Sequence, residues 1–240
     1  MLFILVGVIG IVAGFLSGVV GTGASIILLP ILTLMFSAKL AVPIMAISAV
    51  MVNGSKVYFG RQTTNWRAVW LSLILGVPGI VLGANTLWIL PGKWADLVIG
   101  LFFLVLIPAR YWSQRRKLYL NEWQFVVVGG ILGYVTGVVF SSGPLTIPYF
   151  AAYGLAPAAI IASESASIGL IYLVKIATFA QLGALTVNVV IPGILIGATL
   201  SFGAYLGKVF VLKISESTFH HLISVMLLIA GLSLLWPVIF

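Results

Sequence analysis

Cysteine is absent from all 240 residues, which excludes both a disulfide framework and a thiolate metal site. Acids are nearly as scarce, with four Asp and Glu against twelve Lys and Arg and two His. So few nucleophiles, bases and ligands cannot assemble a catalytic or metal constellation, and no enzymatic activity, cofactor or metal is expected. His220 and His221 are adjacent, so on a helix they point to different faces and make a poor metal pair. Polar surface is also missing. Charged residues are 7% of the chain and hydrophobic ones 62%, with a mean hydropathy of +1.27. A soluble domain of this size needs a largely polar exterior, so the composition implies a polytopic membrane protein. The net charge of +8 sits in short loops between apolar stretches, where it reads as a topology signal and not as a nucleic-acid surface. The opening MLFILVGVIG lacks the basic flank of a secretory signal and is expected to belong to the mature chain.

What is present is a series of apolar segments, at about 2–36, 40–60, 66–90, 94–112, 123–154, 157–178, 187–206 and 217–237. Most have the ~20 residues that one helical crossing of a ~30 Å hydrocarbon core requires. Two are too long. As straight helices rising 1.5 Å per residue, 2–36 would reach ~50 Å and 123–154 ~48 Å, beyond what tilt absorbs. Each carries a small-residue break near its middle: Gly21-Thr22-Gly23-Ala24-Ser25 in the first and Ser141-Ser142-Gly143-Pro144 in the second. Segments one and five are therefore expected to be helical hairpins, in which one half-helix enters, the chain turns, and a second half-helix returns.

The two halves repeat one another. Gly14, Gly18, Val19 and Val20 recur as Gly133, Gly137, Val138 and Val139, and PGIVLGA at 78–84 recurs as PGILIGA at 192–198. Loop charge then tests the hairpins. If all eight segments crossed, the basic residues would divide six against four; with hairpins at one and five they divide eight against two. Cytoplasmic loops are the basic ones, which favours the hairpins. The expected fold is an all-α polytopic membrane protein of two repeats, 1–118 and 119–240, each a hairpin followed by three transmembrane helices. Six full crossings result, the odd number per half makes the repeats inverted, and both termini lie outside the cell (inner) membrane.

Paired breaks in corresponding segments point to a transporter's binding site. A half-helix starting inside the membrane presents free N–H groups and a positive dipole end, which suit an anion. Ser141 or Ser142 is placed to cap a half-helix beginning near Pro144, since proline favours the first helical position. Thr22 or Ser25 has the corresponding place near Ala24. Gly14, Gly18, Gly133 and Gly137 form small-x-x-x-small pairs and are assigned to helix packing. Glu164, in Ser163-Glu164-Ser165-Ala166-Ser167, lies within a span where an ionisable group is costly, and is a candidate proton or coupling site. The competing reading sets it near the helix start, reaching interfacial water. Its first-half counterpart is about Ser48, with Asn53 a turn further on. Lys56 and Lys175 occupy equivalent positions near helix ends, where snorkelling to the interface accounts for them. Trp66, Trp88, Trp94, Trp112, Trp123 and Trp236 fall near segment ends as an aromatic belt.

With its two breaks GVVGTGASIILLP and GVVFSSGPLTIP, each followed by proline, the chain resembles the sulfite exporter family TauE/SafE over essentially its whole length. The resemblance implies transport of sulfite, a sulfonate or a related sulfur-containing anion, coupled to an ion gradient. It also implies anion contacts at Gly21, Thr22, Gly23 and Ser25 in the first break, and at Ser141, Ser142, Gly143 and Thr146 in the second. The function expected is secondary transport of a small anion by alternating access, with H+ as the coupling ion. An anion channel, or a non-transporting membrane assembly or partner-binding protein, is the alternative.

Overall fold

The computed structural model describes residues 7, 10–15, 28, 32, 35–115, 119–139, 143–210 and 216–239. Among these residues every regular element is α-helical. Residues 10–15 are helical, and eight helices follow: α1 (Ala38–Gly60), α2 (Trp66–Ile89), α3 (Gly92–Arg115), α4 (Glu122–Val138), α5 (Gly143–Ala152), α6 (Pro157–Gln181), α7 (Val187–Phe210) and α8 (Glu216–Ile239). Five of them are long and apolar enough to cross a membrane: α1, α2, α3, α6 and α7. Helix α8 has a comparable 24 residues, with an apolar described stretch at Leu227–Trp236. The outward faces carry exposed Leu82, Val105, Ile131 and Leu232, as lipid contact demands. Trp66, Trp94 and Trp123 stand exposed at the starts of α2, α3 and α4, in keeping with an interfacial belt. The protein is an all-α polytopic membrane protein.

The fifth segment does not cross. Helix α4 begins with a capping box between Asn121 and Gln124, and ends where Val139 turns to extended backbone (φ −102°, ψ 166°). Helix α5 then returns to where α4 began, since the Leu120 N–H donates to the Ala152 carbonyl at 2.9 Å. The side chains agree: the Phe125 and Tyr149 rings stack with centroids 4.0 Å apart, and Tyr149 Oη donates to the Phe125 carbonyl at 2.7 Å. At 1.5 Å per residue the descending arm is ~25 Å long and the returning arm ~15 Å. Neighbouring helices give the same topology. Gly60 lies against Ala162 and Asn53 against Gly169, so α1 and α6 are antiparallel. The Asn65 N–H donates to Ser163 Oγ, Ser72 bonds Ser167, and Gly76 meets Ile171, so α2 and α6 are parallel. Only a segment that returns to its own side between α3 and α6 permits that. Most of the first segment's break lies outside the described residues.

Glycines set the closest contacts, because without Cβ two backbones can approach within packing distance of each other. A Cβ on Gly133 would strike the Gly76 carbonyl, one on Gly137 would meet Gly83 Cα, and one on Gly79 the Gly130 carbonyl. These six glycines bind α2 to α4. The first segment docks likewise on α7, where Gly14 faces the Leu200 backbone and Gly203 faces Ile11 and Gly14. Gly14, Gly133 and Gly137 are thus packing residues. Gly54, by contrast, faces open space. Gly133→Val is expected to destabilise the protein by about 1–3 kcal/mol through overpacking. Gly54→Ala should leave stability unchanged or improve it, since alanine is the better helix former. Thermal unfolding of both variants in detergent checks the contrast.

Candidate functional site

The chain leaves helical geometry at Val139, where α4 ends ahead of α5. Gly143 opens α5, and Thr146 sits one turn along it. Thr146 is buried and its Oγ1 donates to Glu164 Oε1 at 2.8 Å. Ser165 Oγ makes a longer contact of 3.5 Å with Oε2 of the same carboxylate. Two residues singled out from different segments, Thr146 and Glu164, therefore meet. Glu164 is 6% exposed, so its carboxyl is turned into the protein and the interfacial-water reading is set aside. A buried carboxyl supplied with hydroxyl donors can hold or release a proton without leaving hydrocarbon-contact oxygens bare. Lys56 of α1 and Tyr172 of α6 are the ionisable groups whose electrostatic interaction it feels.

The serines around Glu164 hold α6 in place. Ser163 accepts the Asn65 N–H at 2.8 Å, beside the Asn65 cap on Ala68. Ser167 and Ser72 share a 2.6 Å hydrogen bond between α6 and α2. Ser72 and Ser167 line a cavity of about 10 Å³ together with Thr136, Thr146 and Tyr149. That is about the space one water centre needs. A polyatomic anion does not fit. In α1, the first-half counterpart Ser48 is fully buried and its Oγ reaches the Gly193 carbonyl of α7 at 2.9 Å. Asn53 is buried too and bonds the Ala49 carbonyl at 2.9 Å.

Lys175 corrects a reading made from sequence. Snorkelling requires the ammonium to reach water, but Lys175 has no exposed surface at all. Its Nζ donates to the Thr136 carbonyl at 2.6 Å and the Val139 carbonyl at 3.3 Å, the last turn of α4. Tyr172 and Phe179, one turn either side, place their rings 5.9 and 5.8 Å from the same nitrogen. The signal was available in sequence as a lysine flanked by aromatics at i−3 and i+4 on one face of an apolar span. Gly21, Thr22, Gly23, Ser25, Ser141 and Ser142 lie outside the described residues. Gly143 marks the start of α5. Among the described residues no group of three His, Asp or Glu side chains is arranged for a metal.

The description "Sulfite exporter TauE/SafE" matches residues 6–234. The chain belongs to the TauE/SafE family. The description is that of a sulfite exporter, and the multi-pass architecture agrees with a membrane transporter. No curated protein and no solved structure matches the chain.

The Thr146–Glu164 contact has a measurable weight. Thr146→Val removes the hydroxyl donor while keeping the shape of the side chain, and should cost about 1–3 kcal/mol of stability by leaving a buried acceptor unsatisfied. Thr146→Ser should retain most of it. Chemical or thermal unfolding in detergent distinguishes the two.

Proposed function

We propose that this TauE/SafE member is a secondary transporter that carries a small sulfur-containing anion, sulfite or a sulfonate, across the cell (inner) membrane by alternating access. The observation that carries the proposal is the α4–α5 hairpin, a helix break inside the membrane with the buried Thr146–Glu164 pair one turn away. The anion binds between the two breaks, at Gly21, Thr22, Gly23 and Ser25 on one side and Ser141, Ser142, Gly143 and Thr146 on the other. Hydroxyls and free N–H groups there replace its hydration shell. Glu164 takes up and releases H+ as the coupling ion.

Helix pairing supports two inverted repeats, 1–118 and 119–240. Helix α1 packs on α7 and α6 on α2; residues 10–15 pack on α7 and α4 on α2; α1 meets α6 and α3 meets α8. Exchanging the halves turns each of these contacts into another that is also present. With the first hairpin returning to the outer side and the second to the basic, cytoplasmic side, both termini lie outside.

Thermal-shift screening of the purified protein against sulfite, sulfate, thiosulfate, sulfonates and carboxylates should single out a sulfur anion, because a ligand of the native state raises its stability. Combining Thr22→Ala with Ser142→Ala should abolish that shift, whereas substitutions around Arg115–Lys117 should preserve it. Liposome flux that saturates, with exchange faster than net transport, supports a carrier; flux linear in concentration would mean a channel. In the same liposomes Glu164→Gln, which cannot titrate, should flatten the dependence of transport on pH. An unchanged profile would remove the proton from the mechanism.

A further inference from the structure

A helix that ends inside a membrane leaves carbonyl oxygens without partners and the negative end of its dipole exposed. Such ends are where transporters with broken helices coordinate Na+. Helix α4 ends in this way at Val139, but its last-turn carbonyls are not open: the Lys175 nitrogen lies 2.6 Å from the Thr136 oxygen and 3.3 Å from the Val139 oxygen. Lys175 reaches them from α6, a helix that also carries Glu164, so the contact joins the tip of the hairpin to a full crossing. The nitrogen sits between the Tyr172 and Phe179 rings, whose π-faces attract a cation.

We infer that Lys175 is a tethered substitute for a coupling cation: its ammonium occupies the carbonyl site at the end of α4 that would otherwise bind Na+. The inference extends the transporter reading above and assigns this residue a specificity role. Two half-helices meet at the break, and the negative end of α4 opposes the positive end of α5. Capping α4 with a fixed ammonium cancels the unfavourable member of that pair, leaving the break selective for anions without an accompanying Na+. Coupling then falls to the proton site at Glu164. Lys175 does not touch the anion in this scheme; it acts through the end of α4.

Sodium dependence tests this with two separate readouts. Melting of the wild-type protein, and its affinity for the sulfur anion found by thermal shift, should be the same in sodium chloride and in choline chloride at equal ionic strength. Lys175→Ala uncovers the carbonyls, so its melting temperature should fall in choline and recover by several degrees in sodium. Lys175→Met, which fills the space without a charge, should bind the anion about tenfold more weakly, and Lys175→Arg should stay within about threefold of wild type. Wild-type anion binding that requires Na+, a Lys175→Ala protein indifferent to Na+, or a Lys175→Met protein with unchanged affinity would each overturn the assignment. If Lys175→Ala fails to fold, the wild-type and Lys175→Met arms decide. A wild-type protein that binds no anion would reject the transporter reading, while the sodium effect on melting would still judge Lys175.

Discussion

Hydrocarbon offers no hydrogen bonds, so any backbone group that leaves helical geometry inside a bilayer must find its partner within the protein. The α4–α5 hairpin is built around that demand. Its tip has the Val139 N–H on the Val135 carbonyl and the Lys175 nitrogen on the Thr136 and Val139 carbonyls. Its base has the Leu120 N–H on the Ala152 carbonyl and Asn121 capping α4. Among the described residues helix α6 carries the most buried polar side chains, Ser163, Glu164, Ser167 and Lys175 among them.

Glycine carries the second constraint. With no apolar driving force between helices in lipid, association relies on close packing. The closest approaches of α2 and α4 are made at Gly76, Gly79, Gly83, Gly130, Gly133 and Gly137. The large buried side chains include Phe103 of α3, Phe125 of α4 and Phe179 of α6. The glycine seam thus packs the hairpin of the second half closely against α2 of the first.

Much of this was legible in the sequence. Segment length against bilayer thickness exposed the hairpin at 123–154, and loop charge chose the same topology that the parallel course of α2 and α6 displays. The spacing of Gly133 and Gly137 identified a packing face, and the rarity of acids drew attention to Glu164. Other features were hidden because they depend on which way a side chain turns at a given depth. Lys175 lies six residues before the end of α6, where a lysine can reach water as easily as it can turn inward. Only the neighbouring tip of α4 decides. The Ser72–Ser167 bond joins residues 95 apart, and nothing local to either marks the other. Nothing in the sequence marks Tyr149, whose hydroxyl donates to the Phe125 carbonyl beside Gly129, which has no side chain to block it.

The glycine seams also bear on how the chain is made. Helix α2 leaves the ribosome about fifty residues ahead of its partner α4, and residues 10–15 wait far longer for α7. Until then each glycine stripe faces lipid or the insertion machinery, holding no partner that its own neighbours in sequence can provide. The first half cannot complete its packing before the second is inserted, so assembly comes late and all together. A nascent chain stalled between the halves would be inserted but unassembled, and so open to membrane proteases.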